Sequence, residues 1–207
     1  MPEALFAFAL AIVPIVVTPG ASFTLMATHV LGDERGVVRR VAAGTAAGIL
    51  THAVLAACGL SALVMQSAEL YRAVQFAGAA YLIALGIVTI ARRDHAATAP
   101  EASAGPRLRI RTAYLANLLN PKAAAVYLTL APQFLDHRTF TAANLIALAA
   151  VHAALTVLWL TLGATALRSL GKRALALPRR AFDTIGGAVL IALGARTLVQ
   201  AHSGAPA

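Results

Sequence analysis

The sequence predicts an all-α membrane protein of six transmembrane helices arranged as two inverted three-helix repeats. Three observations carry that expectation: composition, the spacing of apolar runs, and self-similarity between the halves. Of 207 residues 59% are hydrophobic and 12% charged, with a mean hydropathy of +0.76, which is too apolar and charge-poor for a water-soluble domain of this size. Crossing a hydrocarbon core of roughly 30 Å takes about 20 helical residues. Six apolar runs reach that length, at 4–28, 42–65, 71–91, 113–135, 143–166 and 182–201. They are continuously apolar, without the alternation of a membrane strand, so helices that satisfy their own backbone are expected.

The first run follows Met1, Pro2 and Glu3, with no basic side chain ahead of it, and continues past Thr18-Pro19-Gly20. It is therefore expected to be a retained span rather than a cleaved signal. The second run holds Cys58, the sole cysteine, which rules out an intramolecular disulfide or a thiol-pair enzyme and is expected to pack as a small apolar residue. The same run carries Gly44 and Gly48, a GxxxG spacing that suits close helix approach within the monomer or in a possible homodimer.

The third and sixth runs are alike. Gly78-Ala79-Ala80-Tyr81-Leu82-Ile83-Ala84-Leu85-Gly86 matches Gly186-Gly187-Ala188-Val189-Leu190-Ile191-Ala192-Leu193-Gly194 at seven of nine positions. His52-Ala53 in the second run matches His152-Ala153 in the fifth, and Thr18-Pro19 in the first matches Asn120-Pro121 in the fourth, all at offsets of 100 to 108. Three matches in one order divide the chain into a first repeat, 1–91, a basic linker, 92–112, and a second repeat, 113–207. Three crossings is an odd number, so the second repeat is inverted relative to the first, a plan common among secondary transporters.

The formal net charge of +9 has a telling distribution. Thirteen of seventeen basic residues lie in alternate loops: Arg35, Arg39 and Arg40; Arg92, Arg93, Arg107, Arg109 and Arg111; Arg168, Lys172, Arg173, Arg179 and Arg180. By the positive-inside rule these loops and the linker are cytoplasmic and both termini lie outside. The basic clusters are orientation signals that can touch anionic lipid, and no nucleic-acid partner is expected.

Thr or Asn before Pro, inside an apolar run, is a helix-start signal where no helix should start. A Pro-interrupted span in corresponding positions of two inverted halves points to a binding site near the bilayer midplane. Thr18 and Asn120 are expected to cap the second half-helices, roughly 15 and 11 Å from the cytoplasmic ends on a rise of about 1.5 Å per residue. The half-helix N-termini suit a carboxylate, and Gly20 allows close backbone approach to a ligand. Asn117, three residues before Asn120, shares its helical face.

These residues resemble a family. Thr18-Pro19-Gly20, Asn117-Leu118-Leu119-Asn120-Pro121-Lys122-Ala123 and the following Pro132-Gln133-Phe134 are similar to motifs of the LysE/RhtB family of amino-acid exporters, as are the six spans and Gly78-Ala79-Ala80-Tyr81-Leu82. The resemblance implies a multi-pass carrier of the bacterial inner membrane that exports amino acids or close derivatives, driven by the proton-motive force. It departs from the family pattern at Ala21-Ser22, where Pro-Asn is usual, and at Ile49, where many members have Asp after the Gly.

None of the eight acidic residues lies deep in a span: Glu3, Asp33, Glu34, Glu69, Asp94, Glu101 and Asp136 are terminal or in loops, and Asp183 is at the inner end of the sixth run. That leaves Lys122, His52 and His152 as intramembrane ionisable groups. Two readings are open for Lys122, pairing with a substrate carboxylate or snorkelling to the cytoplasmic face. Two are open for the histidines, proton coupling or hydrogen bonds to the Thr51 or Thr156 hydroxyls. The expected substrate site comprises Thr18, Pro19, Gly20, Ser22, Asn117, Asn120, Pro121 and Lys122. Nothing in the spacing of Ser22 and His52 supports a hydrolytic dyad, so no enzyme is expected. No cofactor or metal is expected, because His29, His95, His137 and His202 are far apart in sequence. The alternative function is export of a cation or another small solute on the same scaffold.

Overall fold

The computed structural model describes residues 1–32, 34–66, 68–91, 107–135, 141–171 and 179–203. Among these residues there is no strand, and helices occupy each of the six apolar runs. Arg92, Arg93, Asp94, His95, Glu101, Asp136, His137, Arg138, Lys172 and Arg173, with Asp33 and most of the linker, lie outside the described residues.

The first run is two helices, α1 (Pro2–Val17) and α2 (Ala21–Leu31), whose axes bend by 51° at the break. Pro19 causes it: it has no N–H to donate and holds its predecessor Thr18 extended, at φ −65°, ψ 116°. The fourth run is interrupted more often. Helix α5 (Ile110–Leu118) stops before Asn120-Pro121, α6 (Pro121–Ala125) restarts, and the chain then widens into a π turn (Val126–Leu130) and tightens into a 3-10 turn (Ala131–Phe134). Pro132, which lacks an N–H, stands where the ladder changes type.

Two helices are unbroken and apolar enough to cross a bilayer among the described residues. They are α3 (Val37–Gln66), over its stretch Val37–Gly59, and α7 (Ala142–Leu170). The bent α1–α2 pair makes a third if taken as one span. Helix α7 starts where the Thr141 hydroxyl accepts from the Asn144 amide at 3.2 Å and stops at Gly171, whose φ of 57° is left-handed. Helices α4 (Ala68–Ala91) and α8 (Arg179–Ser203) carry shorter apolar stretches, Phe76–Ala91 and Thr184–Val199.

Small residues set the packing, as expected where lipid is as apolar as leucine and helices associate by fit. A Cβ at Gly86 would lie 2.5 Å from the Gly187 carbonyl oxygen, and one at Gly187 would lie 2.7 Å from the Gly86 carbonyl oxygen. A Cβ at Gly194 would lie 2.8 Å from the Ala79 carbonyl oxygen. Helices α4 and α8 therefore meet backbone to backbone. The GxxxG pair is filled from within the chain: a Cβ at Gly44 would sit 2.5 Å from the Ile110 carbonyl, and one at Gly48 2.6 Å from Asn117 Oδ1, so this seam belongs to α5 and not to a second copy. Cys58 departs from expectation, since its side chain is exposed and does not pack in the core.

Helix α7 backs both apolar clusters of the core. One gathers Phe8, Ile12, Ile49, Tyr127 and Leu148; the other gathers Met26, Val30, Val41, Leu160 and Leu167. Leu10, Leu55, Leu158 and Leu162 face outward, as befits lipid contact. At one end the Glu34 carboxylate accepts from the Leu108 amide at 3.1 Å and pairs with Arg40, fastening the turn after α2 to the segment that leads into α5.

Candidate substrate-binding site

The two breaks face each other. Asn120 caps α6 as expected, its Oδ1 accepting from the Lys122 amide at 3.0 Å. Thr18 does not cap α2. Its hydroxyl turns back and donates to the Pro14 carbonyl at 2.8 Å, and Gly20 occupies the N-cap position with no side-chain bond. Gly186 of α8 packs directly on Thr18 Oγ1, so tertiary contact holds the hydroxyl against α1.

The Lys122 ammonium donates to the Thr18 carbonyl at 3.0 Å. That carbonyl is at the C-terminal end of α1, where the helix dipole is negative and the last carbonyls have no partner within the helix. Lys122 therefore reaches from one break to the other and does not run to the membrane face. A Cβ at Gly20 would stand 4.0 Å from the ammonium, so glycine keeps the space beside the lysine clear.

Between the breaks is a cleft of about 60 Å³. Of the residues expected at the site it is lined by Thr18, Gly20, Ser22, Asn117, Asn120 and Lys122, together with His152. Pro19 and Pro121 do not line it; they act by breaking the helices. His52 does not line it either. The sequence did not single out Phe23, Thr45 and Leu160, which also line it, as do Ile49 and Thr156, the latter expected only as a partner for a histidine. Thr45 donates to the Ser22 hydroxyl at 3.0 Å. The Asn117 Oδ1 and Thr156 Oγ1 atoms are buried without a partner among the described residues, and Asn117 is only 5% exposed. A buried polar atom left unmatched is costly and is explained by a ligand or water that completes it.

His52 and His152 flank Tyr127. The His52 ring stacks on Tyr127 with centroids 6.3 Å apart, Tyr127 stacks on His152 at 5.9 Å, and the phenol oxygen lies 3.0 Å from His152 Nδ1. His52 Nε2 lies 3.4 Å from the Asn117 carbonyl. Neither histidine bonds Thr51 or Thr156 as the alternative expected, for the Thr51 hydroxyl donates to the Ala47 carbonyl at 2.9 Å. Tyr127 went unnoticed in the sequence, although it follows Asn120 by seven residues, about two helical turns, and so falls on the same face.

The Pro132-Gln133-Phe134 block fixes the far end of the fourth run. Gln133 Nε2 donates to Thr197 Oγ1 of α8 at 2.6 Å, and Phe134 meets Phe8 of α1 edge to face at 5.5 Å. Among the described residues no group of three His, Cys, Asp or Glu side chains could hold a metal ion.

The model of the LysE type translocator family matches residues 13–201. This chain belongs to that family. The LysE type translocators are transporters, not enzymes, and the chain is accordingly a membrane protein of the efflux class. It is 32% identical over 164 residues to YrhP of Bacillus subtilis (strain 168), described as an uncharacterized membrane protein, covering 72% of this chain and 78% of that one. It is 33% identical over 133 residues to the homoserine/homoserine lactone efflux protein of Salmonella typhimurium, covering 63% of this chain and 64% of that protein. An uncharacterized membrane protein of Vibrio cholerae is 40% identical over 96 residues, 45% of this chain and 46% of its own. No solved structure matches the chain.

Proposed function

We propose that the protein exports amino acids or close derivatives across the bacterial inner membrane, driven by the proton-motive force, through a midplane site between its two Pro-broken helices. The observation that carries this reading is the Lys122 bond to Thr18, which joins the breaks across a polar cleft holding unmatched buried groups. The efflux function in the name of the Salmonella relative supports the direction of transport.

In this reading the six runs are six spans in two inverted repeats, with the basic loops cytoplasmic and both termini outside. The contacts of α4 and α8 support the symmetry. Gly86 and Gly194 are equivalent positions at an offset of 108, as are Ala79 and Gly187, and Gly86 meets Gly187 just as Gly194 meets Ala79. A two-fold exchange of the halves maps one contact onto the other. At about 10–15 Å³ per water the cleft has room only for a few waters, so substrate enters only when the half-helices part. Such parting is the alternating access of a carrier.

Efflux from proteoliposomes loaded with labelled amino acids and their N-acetyl derivatives tests the proposal. Wild type is expected to lose particular solutes faster when a pH gradient is imposed. Asn120→Ala, which removes a cap worth about 0.5–2 kcal/mol, is expected to be about 2–30-fold slower. A wild-type protein that releases none of these solutes faster than protein-free vesicles overturns the proposal.

His52 and His152, bridged by Tyr127, are the candidates for the proton path, since imidazole exchanges protons near neutral pH and no acid lines the cleft. In a His52→Gln, His152→Gln double variant the gradient is expected to lose its effect on efflux while solute exchange at equal pH continues. Tyr127→Phe, which removes the hydroxyl on His152 Nδ1, is expected to weaken the gradient effect in part. Full gradient dependence in the double variant rules these residues out as the path.

A further inference from the structure

We propose that the cleft takes a monocarboxylate whose 2-position bears a neutral hydrogen-bonding group, a hydroxyl or an acylated amine, in place of a free ammonium. This rests on the exporter reading above and names the substrate class of that same site.

The lining includes one lysine, Lys122, and no aspartate or glutamate. The N-terminus of the 11-residue α2 opens on the same space at Gly20, Ala21 and Ser22, so the positive end of its dipole adds to the lysine charge. Both features attract a carboxylate. A free ammonium on the neighbouring carbon would meet the lysine charge with no carboxylate in the walls to answer it, and the Thr18 carbonyl at the negative end of α1 is already taken by Lys122.

The apolar part of the lining is also wrong for a cation. Ile49 is 1% exposed, lines the cleft and belongs to the apolar cluster with Phe8, Ile12 and Tyr127. Val126 of the same cluster, and Leu160 and Phe23 of the other, also line the cleft. Burying a charge against it is costly. The two unmatched polar atoms supply what a neutral substituent needs. Asn117 Oδ1 accepts from a hydroxyl or amide N–H, and the Thr156 hydroxyl donates to an acyl oxygen or hydroxyl.

Counterflow into wild-type proteoliposomes, with 2-aminobutyrate, 2-hydroxybutyrate and N-acetyl-2-aminobutyrate as labelled probes, decides the matter. The two anions are expected to exchange at least ten-fold faster than 2-aminobutyrate. Ile49→Asp, checked for folding by size exclusion, is expected to reverse that order. If this variant fails to fold, Lys122→Gln serves instead, with at least ten-fold slower exchange of both anions and no gain for 2-aminobutyrate. Exchange of 2-aminobutyrate at a rate equal to or above the anions overturns the inference while leaving the exporter reading intact. A folded wild type that exchanges none of the three probes and none of the common amino acids removes both.

Discussion

Lys122→Met is expected to slow export by about 10–100-fold while the protein still inserts and folds. The substitution keeps an unbranched side chain only one atom shorter and removes the donor that reaches the Thr18 carbonyl at 3.0 Å. A hydrogen bond from a charged group contributes about 1.5–3 kcal/mol, and leaving its partner buried and unmatched costs a similar amount. In rate or affinity that is roughly one to two orders of magnitude. The Asn120 cap on the Lys122 amide survives, because it uses the backbone, so the second half-helix still starts in the same place. Initial efflux rates normalised to reconstituted protein give the measurement, with Lys122→Arg expected to recover part of the loss. Full-rate export by the methionine variant would mean that the lysine is a passive filler of the cleft.

Gly86→Val is expected to lower the unfolding midpoint by about 2–12 °C, taking about 1–3 kcal/mol for overpacking and about 2–4 °C per kcal/mol for a chain of this size. The new side chain would begin 2.5 Å from the Gly187 carbonyl oxygen. That neighbour is backbone inside α8, so no rotamer change relieves the clash; the helices must separate. Gly59→Val is the control, since a Cβ at Gly59 meets nothing within 4 Å, and its midpoint is expected to stay near wild type. Thermal unfolding followed by fluorescence-detected size exclusion separates the two, and equal midpoints would refute the α4–α8 contact.

Much of the site was legible because its signals are local. Asn120-Pro121 is a cap followed by a residue with no N–H to satisfy, and it starts α6 as read. Asn117 reached the cleft through helical spacing alone, three residues before Asn120. What was not legible depends on partners far along the chain. Thr18 carries the same local signal as Asn120 but lies against Gly186, and this contact turns its hydroxyl toward Pro14. Lys122 finds its acceptor 104 residues away. The stacking of Tyr127 between two histidines needs three elements in place at once. The π turn after α6 has no residue signature of its own, and only Pro132 hints that the ladder cannot run straight. Cys58 shows the limit of reading burial from residue type, for inside a bilayer an apolar side chain loses nothing by facing outward.

The contact of α4 with α8 has a mechanical meaning. Where two helices touch through side chains, each can slide by swapping rotamers, and such slack is what a shear motion uses. At Gly86, Gly187 and Gly194 the two backbones themselves come into contact, with Ile83, Ile90 and Ile191 lying over the glycines. Backbone contact of this kind leaves little slack, so in the proposed carrier the pair is expected to behave as an axle, the same whichever face of the protein is open. The work of moving is then expected to fall to the parts of the chain where the helical ladder is already interrupted, at Pro19 and Pro121, so that in the proposed carrier the elements that would bind are also the elements that would swing.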